Sequence, residues 1–445
     1  MNLRPLRTVI LTLALSVCVD NAAAQARIDD DGAVRVRNGF HLYGAASSLG
    51  YSQLSTSYLQ RFGSYYSALS SISLGFQHTG PKNNLNIGYV PSYSGTFQTS
   101  TLQSFNEAMS LEFTTRLTSK WAWYIAGSAD DSTIEQFLFK PTELAQFVGG
   151  SSTFDQLAGA VKDGLTDAPT FATPLQMAIY GNRVLTFGGN TGLVYRPSTR
   201  LGVSFEGRVS QAQTRHQADD PHPDRALIPR TRFEQGGVNL TYALSPRSDI
   251  GVQVSALKTS SVIGEYQTTS TMGSFARKLG IHWFTVVRSG FGYYSSVGGK
   301  SVPGGVGYLG SSALGYKTRN HTWIATYARS LGDMNGLASA STSFFSGSWN
   351  WGRPGLSWRV YAYGGQQRLS GGALGDGTFW QASAGLSRGL SRQTALTIGY
   401  SYLMNSIPIQ VYNDLKAHSV RMTITWFRFP HTAGPLPNAI PGGPL

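Results

Sequence analysis

From residue 41 to residue 430, apolar and polar side chains alternate in one short run after another. A period of two allows only strands whose two faces meet different solvents. "SSISLGFQ" sets Ile72, Leu74 and Phe76 against Ser71, Ser73, Gly75 and Gln77. "GVNLTYAL" sets Val238, Leu240, Tyr242 and Leu244 against Asn239 and Thr241, and "DIGVQVSA" and "LTIGYSY" repeat the pattern. The runs predict about eighteen strands, sixteen at fewest, each of roughly 9 to 13 residues, a length that crosses a membrane at a tilt. Their centres fall near residues 47, 73, 88, 111, 125, 190, 206, 240, 254, 272, 288, 312, 326, 348, 361, 383, 399 and 424.

The connections sort into two kinds. "LTSK", "RPSTR", "SPRSD", "RKLG" and "GLSRQ" are short turns. Between them fall long loops near 56–66, 94–104, 130–182, 214–232, 258–268, 295–305, 331–341, 368–377 and 404–418. Short turns at one end, long loops at the other and an even strand count predict an all-β fold, a single antiparallel up-and-down transmembrane barrel. A sandwich also alternates but does not segregate its loop lengths in this way. Only 13% of residues are charged, against about 25% in soluble proteins. That suits a sheet covered by lipid on one face and water on the other.

Residues 1–26 read as a secretory signal, with Arg4 and Arg7, the apolar "TVILTLALSVCV" and the small-residue "NAAAQA". The single cysteine, Cys18, lies inside it, and Val17 before it does not suit lipid attachment, so no disulfide is expected downstream. Residues 27–40 are expected to be a periplasmic N-terminal segment, 41–430 the barrel, and 431–445 a periplasmic tail with four prolines. The formal charge is +13. Its cations are scattered rather than run together, which with export argues against nucleic acid.

The last strand ends on "ITWFRF" before Pro430 stops it. Trp426, Phe427 and Phe429 are therefore expected in an aromatic girdle at the membrane interface. The signal, the strand pattern and this aromatic finish resemble bacterial outer-membrane β-barrels over the whole mature chain. That resemblance implies an integral outer-membrane location, contact with outer-membrane lipid, and insertion by the barrel assembly machinery. It departs from the pattern in the residues that follow the terminal aromatic. No motif marks a subfamily.

If the apolar parity faces lipid, the other parity lists the lumen. Glu112 and Arg116, Glu206 and Arg208, Arg359 with Tyr361 and Tyr363, and Arg421 then point inward, a net basic path suited to anions. Near 272, 288, 312 and 326 the parity does not resolve. Residues 130–182 form the third long loop. "STFDQLAGAVKDG" has helical spacing at Phe154, Leu157, Ala158 and Val161. The loop resembles the pore-narrowing third loop of general porins, and an outward amphipathic cover is the other reading.

No nucleophile elbow, phosphate loop or zinc motif appears, and no cofactor or metal is implied. "RHQADDPHPDR" gathers His216, Asp219, Asp220, His222 and Asp224, more simply a solvated loop than a cation site. The expected function is an outer-membrane channel for an anionic solute, or for an exopolysaccharide, since strand number and basic lumen resemble barrels that export acidic polysaccharide. The tail would then dock a periplasmic polysaccharide-export component. A barrel enzyme or a surface-interaction protein is the alternative.

Overall fold

The structure is a computed structural model. It describes residues 27–28, 34–35, 38–55, 64–96, 103–133, 183–215, 230–245, 247–261, 264–297, 304–318, 320–331, 341–352, 358–370, 376–391, 393–406 and 415–427. The tail 431–445, Phe429, the bulk of the 130–182 loop and the His/Asp group of 216–224 lie outside the described residues.

Two short strands, β1 (Arg27–Ile28) and β2 (Val34–Arg35), pair as a ribbon ahead of the barrel. The barrel begins with β3 (Gly39–Ser55), β4 (Ser64–Thr79), β5 (Asn83–Thr96), β6 (Gln103–Arg116), β7 (Trp121–Thr133) and β8 (Arg183–Tyr195). It continues through β9 (Leu201–Arg215), β10 (Thr231–Ser245), β11 (Ser248–Ser261), β12 (Gly264–Leu279), β13 (Trp283–Val297) and β14 (Gly305–Lys317). It finishes with β15 (His321–Leu331), β16 (Ser341–Trp351), β17 (Trp358–Ser370), β18 (Gly377–Gly389), β19 (Thr394–Asn405) and β20 (Leu415–Phe427). Each strand pairs antiparallel with its neighbours in sequence, and β20 pairs back onto β3, so β3 to β20 close into an 18-strand barrel with no free edge. Every predicted strand centre falls inside one of these strands.

Two expectations need correction. The strands run from 11 to 17 residues, longer than the membrane requires. The expected long loop at 258–268 is also not there, because β11 and β12 stay paired up to Ser261 and Gly264. The cause is the same in both cases. Above the membrane both faces of a strand are wet, so "LKTSS" and "GEYQTTS" lose alternation while the ladder continues.

The short turns are closed by hydroxyls. Thr118 Oγ1 accepts from the backbone N–H of Lys120 and Trp121, Ser198 Oγ from Arg200 and Leu201, and Ser391 Oγ from Gln393 and Thr394. One Ser or Thr thus satisfies two donors that the hairpin leaves over.

Outward-facing apolar side chains, among them Leu111, Phe205, Val209, Val238, Val254 and Ile398, are exposed, as residues meant for lipid must be. At the short-turn end the outer face carries an aromatic girdle. Trp121 stacks on Tyr195 at 4.4 Å, Trp283 meets Tyr316 at 4.7 Å, Trp323 stacks on Trp349 at 5.5 Å, and Arg388 lies 4.9 Å over Trp358. Such pairs contribute about 0.5–1.5 kcal/mol each beyond their burial. Trp426 shares this end and, by alternation with Val420 and Met422, this face, yet is only 4% exposed. The described residues give no hydrogen-bond partner to its Nε1. Phe427 ends the last described strand. A closed barrel with an apolar belt and an aromatic girdle is an integral outer-membrane protein.

Candidate functional site in the barrel lumen

Alternation along each ladder turns the residues next to the exposed apolar ones inward. Glu112 and Arg116 on β6, Glu206 and Arg208 on β9, Arg359, Tyr361 and Tyr363 on β17, and Arg421 on β20 therefore share the inner face. Arg116 sits at the short-turn end of its strand and is exposed, whereas Glu112 is half-buried. Between the charged groups the wall is lined by neutral hydroxyls paired across strands. Ser255 and Ser270 are 2.8 Å apart, Thr326 and Ser346 2.6 Å, and Ser401 and Ser419 2.8 Å.

Two register rows organise the larger side chains. In the first, Tyr124 on β7 faces Gly192 on β8, which faces Glu206 on β9, which faces Gly237 on β10. A Cβ on Gly192 would stand 2.5 Å from the Tyr124 ring and its hydroxyl, so the ring lies flat across that glycine toward Glu206. A Cβ on Gly237 would be 3.6 Å from Glu206 Oε1, so the carboxylate in turn lies over Gly237. In the second row, Tyr361 faces Gly385, then Gly399, then Arg421, then Gly50. The Tyr361 hydroxyl covers both Gly385 and Gly399, and Arg421 Nε lies 3.5 Å from where a Gly50 Cβ would be. In each row, missing side chains let a tyrosine and a charged group lie along the wall instead of standing in the lumen. The two charged ends, Glu206 and Arg421, lie seven strands apart in the ring of eighteen.

A further cation belongs to this site and escaped the sequence reading. Arg288 on β13 is inward and only 7% exposed. Glu206, four strands away around the wall, is within electrostatic reach of both Arg288 and Arg208. A buried guanidinium persists only where a counter-charge and hydrogen bonds offset its desolvation. Arg288 is framed by two inner apolar clusters, Phe284 with Ile324 and Val286 on one side, and Met272, Leu309 and Leu331 with Tyr294 on the other. Those inward apolar residues explain why the strands near 272, 288, 312 and 326 showed no readable parity. His418, which faces outward, is held by the Tyr400 hydroxyl at 2.8 Å and packs on Tyr402 at 4.8 Å. Among the described residues no group of three or more His, Cys, Asp or Glu is placed to hold a metal ion.

No protein-family model matches the chain, and no curated protein matches it. Solved structures of similar outline do exist. Pseudomonas aeruginosa OccK5 (OpdH) is 10% identical with a TM-score of 0.43, covering 86% of this chain and 97% of that one. Pseudomonas aeruginosa OccK11 (OpdR) is 11% identical with a TM-score of 0.42, covering 88% and 97%. Pseudomonas aeruginosa OccK2 (OpdF), solved in complex with glucuronate, is 10% identical with a TM-score of 0.43, covering 87% and 98%. Likeness at that level carries no functional argument, and the fold rests on this chain's own strand register.

Proposed function

We propose that this barrel is a channel passing hydrophilic anions across the outer membrane. The observation that carries the reading is that Arg208 and Arg288 share the inner wall with Glu206, within electrostatic reach of it, with Arg288 buried in that wall. The balance of inner charge supports the same sign. By alternation, Arg116, Arg208, Lys278, Arg288, Lys317, Arg359 and Arg421 face inward against Glu112, Asp130, Glu206 and Asp249 among the described strands. That is seven cations to four acids. A barrel of eighteen strands is wide enough for an aqueous path, and cations set in low-dielectric walls raise the local anion concentration.

Reconstitution in a planar bilayer is the test. Under a salt gradient the reversal potential should lie on the anion side, and liposomes carrying the barrel should admit small organic anions faster than organic cations of equal size. A cation-selective conductance sinks the proposal.

The exopolysaccharide reading rests on strand number and the balance of inner charge, and adds that residues 431–445, a segment with four prolines, dock a periplasmic export component. Truncation after Phe429 separates this reading from small-anion uptake. A barrel that still assembles and conducts but no longer pulls down its periplasmic partner, or no longer supports polymer secretion, favours export. Retention of both shows that the tail docks nothing.

A further inference from the structure

We propose that the lipid-facing side of β15–β18 seats one phosphorylated glycolipid of the lipid A type, gripped by Arg329 and Arg368 and independent of the channel. Outward parity on these strands is fixed by the exposed rings of Trp323, Phe345, Trp358 and Trp380. The register places on that parity a row in which Arg329 faces Ser343 and Ser343 faces Arg368. The two arginines are two strands apart, about 10 Å at their roots, with the Ser343 hydroxyl between them. Arg368 stands ten residues along β17 from Trp358 of the short-turn girdle. That is about 33 Å of strand, or about 25 Å of height at the tilt of such barrels, which matches the height of their apolar band. Long loops face outward, so the arginine row lies at the outer-leaflet interface.

No carboxylate on these strands answers the two cations. β14 to β20 contain no Asp or Glu, and Asp333, Asp376 and Asp414, the acids of residues 305–427, all fall in the connections. Neither Arg329 nor Arg368 has an ion-pair or side-chain hydrogen-bond partner among the described residues, and Arg329 Nε is buried without one. A buried charged donor left unmet costs free energy that an incoming acceptor recovers. A guanidinium fork takes phosphate oxygens two at a time, so a phosphate over Ser343 is met from both sides. Below the arginines the face turns apolar. Phe345 faces Gln366 and Gln366 faces Trp380, and in the next outward row Ala325, Gly347, Gly364 and Ala382 face one another in turn. A Cβ on Gly347 would meet nothing within 4 Å and one on Gly364 only a carbonyl at 4.0 Å, so the row is an open floor for acyl chains. The occupant is therefore apolar within the bilayer and anionic at its outer end. Lipid A is the phosphate-bearing lipid of the outer leaflet, whereas a phospholipid of the inner leaflet presents its phosphate at the opposite end. A second copy related by a two-fold axis along the membrane normal would bring its own arginines to the same height.

The test compares wild type with two double variants, Arg329→Gln with Arg368→Gln and Gly347→Leu with Gly364→Leu, each extracted in mild detergent and checked for closure by heat-modifiable migration. Mass spectrometry of the washed barrel should find lipid A on wild type and roughly tenfold less on either variant. Conductance should be the same in all three, because every altered residue faces away from the lumen. Diphosphoryl lipid A added to delipidated wild type should raise its unfolding temperature, while fully dephosphorylated lipid A and phosphatidylglycerol should not, and the glutamine pair should respond to none of them. If the leucine pair fails to close, the glutamine pair and this titration still decide. Equal retention of lipid A by wild type and the glutamine pair overturns the proposal, as does equal stabilisation by phosphatidylglycerol. An oligomer of wild type that the leucine pair abolishes also overturns it, because the occupant is then another copy of the chain. None of these readings depends on which ion the lumen prefers.

Discussion

Charge reversal at Arg208 and Arg288 together is expected to turn an anion-preferring barrel into a cation-preferring one. The two guanidiniums share one wall with Glu206, so replacing both by Glu changes the local charge by four units, from one net positive to three net negative. At an effective dielectric constant near 20, a unit charge acts on an ion 10 Å away by roughly 1.7 kcal/mol before screening. In about 0.1 M salt the Debye length is close to that distance, so part of the effect survives. A fall of at least about tenfold in the anion-to-cation permeability ratio follows, equivalent to about 1.4 kcal/mol. The reversal potential under a KCl gradient measures it directly. Glu206→Gln should move the ratio the other way while lowering stability, since Arg288 loses a counter-charge inside the wall. If neither substitution shifts the reversal potential, permeating ions do not pass this cluster.

The second large effect is expected at Gly290 on β13. A Cβ there would overlap the backbone carbonyl of Thr271 and approach Met272 Cα to 2.7 Å. Backbone cannot rotate away as a side chain can, so Gly290→Ala must separate β12 from β13. Overpacking costs about 1–3 kcal/mol even where side chains can yield, and this site lies at or above that range. At roughly 1 °C per kcal/mol for a chain of this length, the temperature at which the closed, fast-migrating form unfolds on a gel should fall by one to several degrees. Gly347→Ala, where a Cβ meets nothing within 4 Å, should stay within about 0.5 kcal/mol of wild type. Equal unfolding temperatures for the two variants contradict this account.

The contrast between these two glycines marks where sequence stops being legible. Strand positions and closure were readable because lipid on one face and water on the other enforce alternation, as at Val238, Leu240 and Tyr242. Both failures have one source, an inner or outer face that ceases to differ from its opposite. At β11 and β12 both faces are wet above the membrane, so a paired rim looked like a loop. At β13 and β15 both faces are apolar, because Phe284, Val286 and Ile324 pack inside, and Arg288 was hidden among them. Glu206, Arg208 and Arg421 were legible because Phe205, Val209, Val420 and Met422 beside them are plainly outward. The glycines of the lumen rows were visible as letters, but their purpose depends on which residue faces them from the next strand or the one beyond.

Those rows separate two properties that a pore would otherwise have to trade against each other. Bore depends on whether Tyr124 and Tyr361 can recline, and so on Gly192, Gly385 and Gly399. In the proposed channel, ion preference would follow the inner charges, Glu206 and Arg421 in these rows together with Arg208 and Arg288, carried by strands other than those of the tyrosines. A single methyl group on a glycine would raise a phenol ring into the channel and narrow it while leaving every charge in place. Evolution, or a designer, can thus resize this conduit and retune its sign by independent single substitutions.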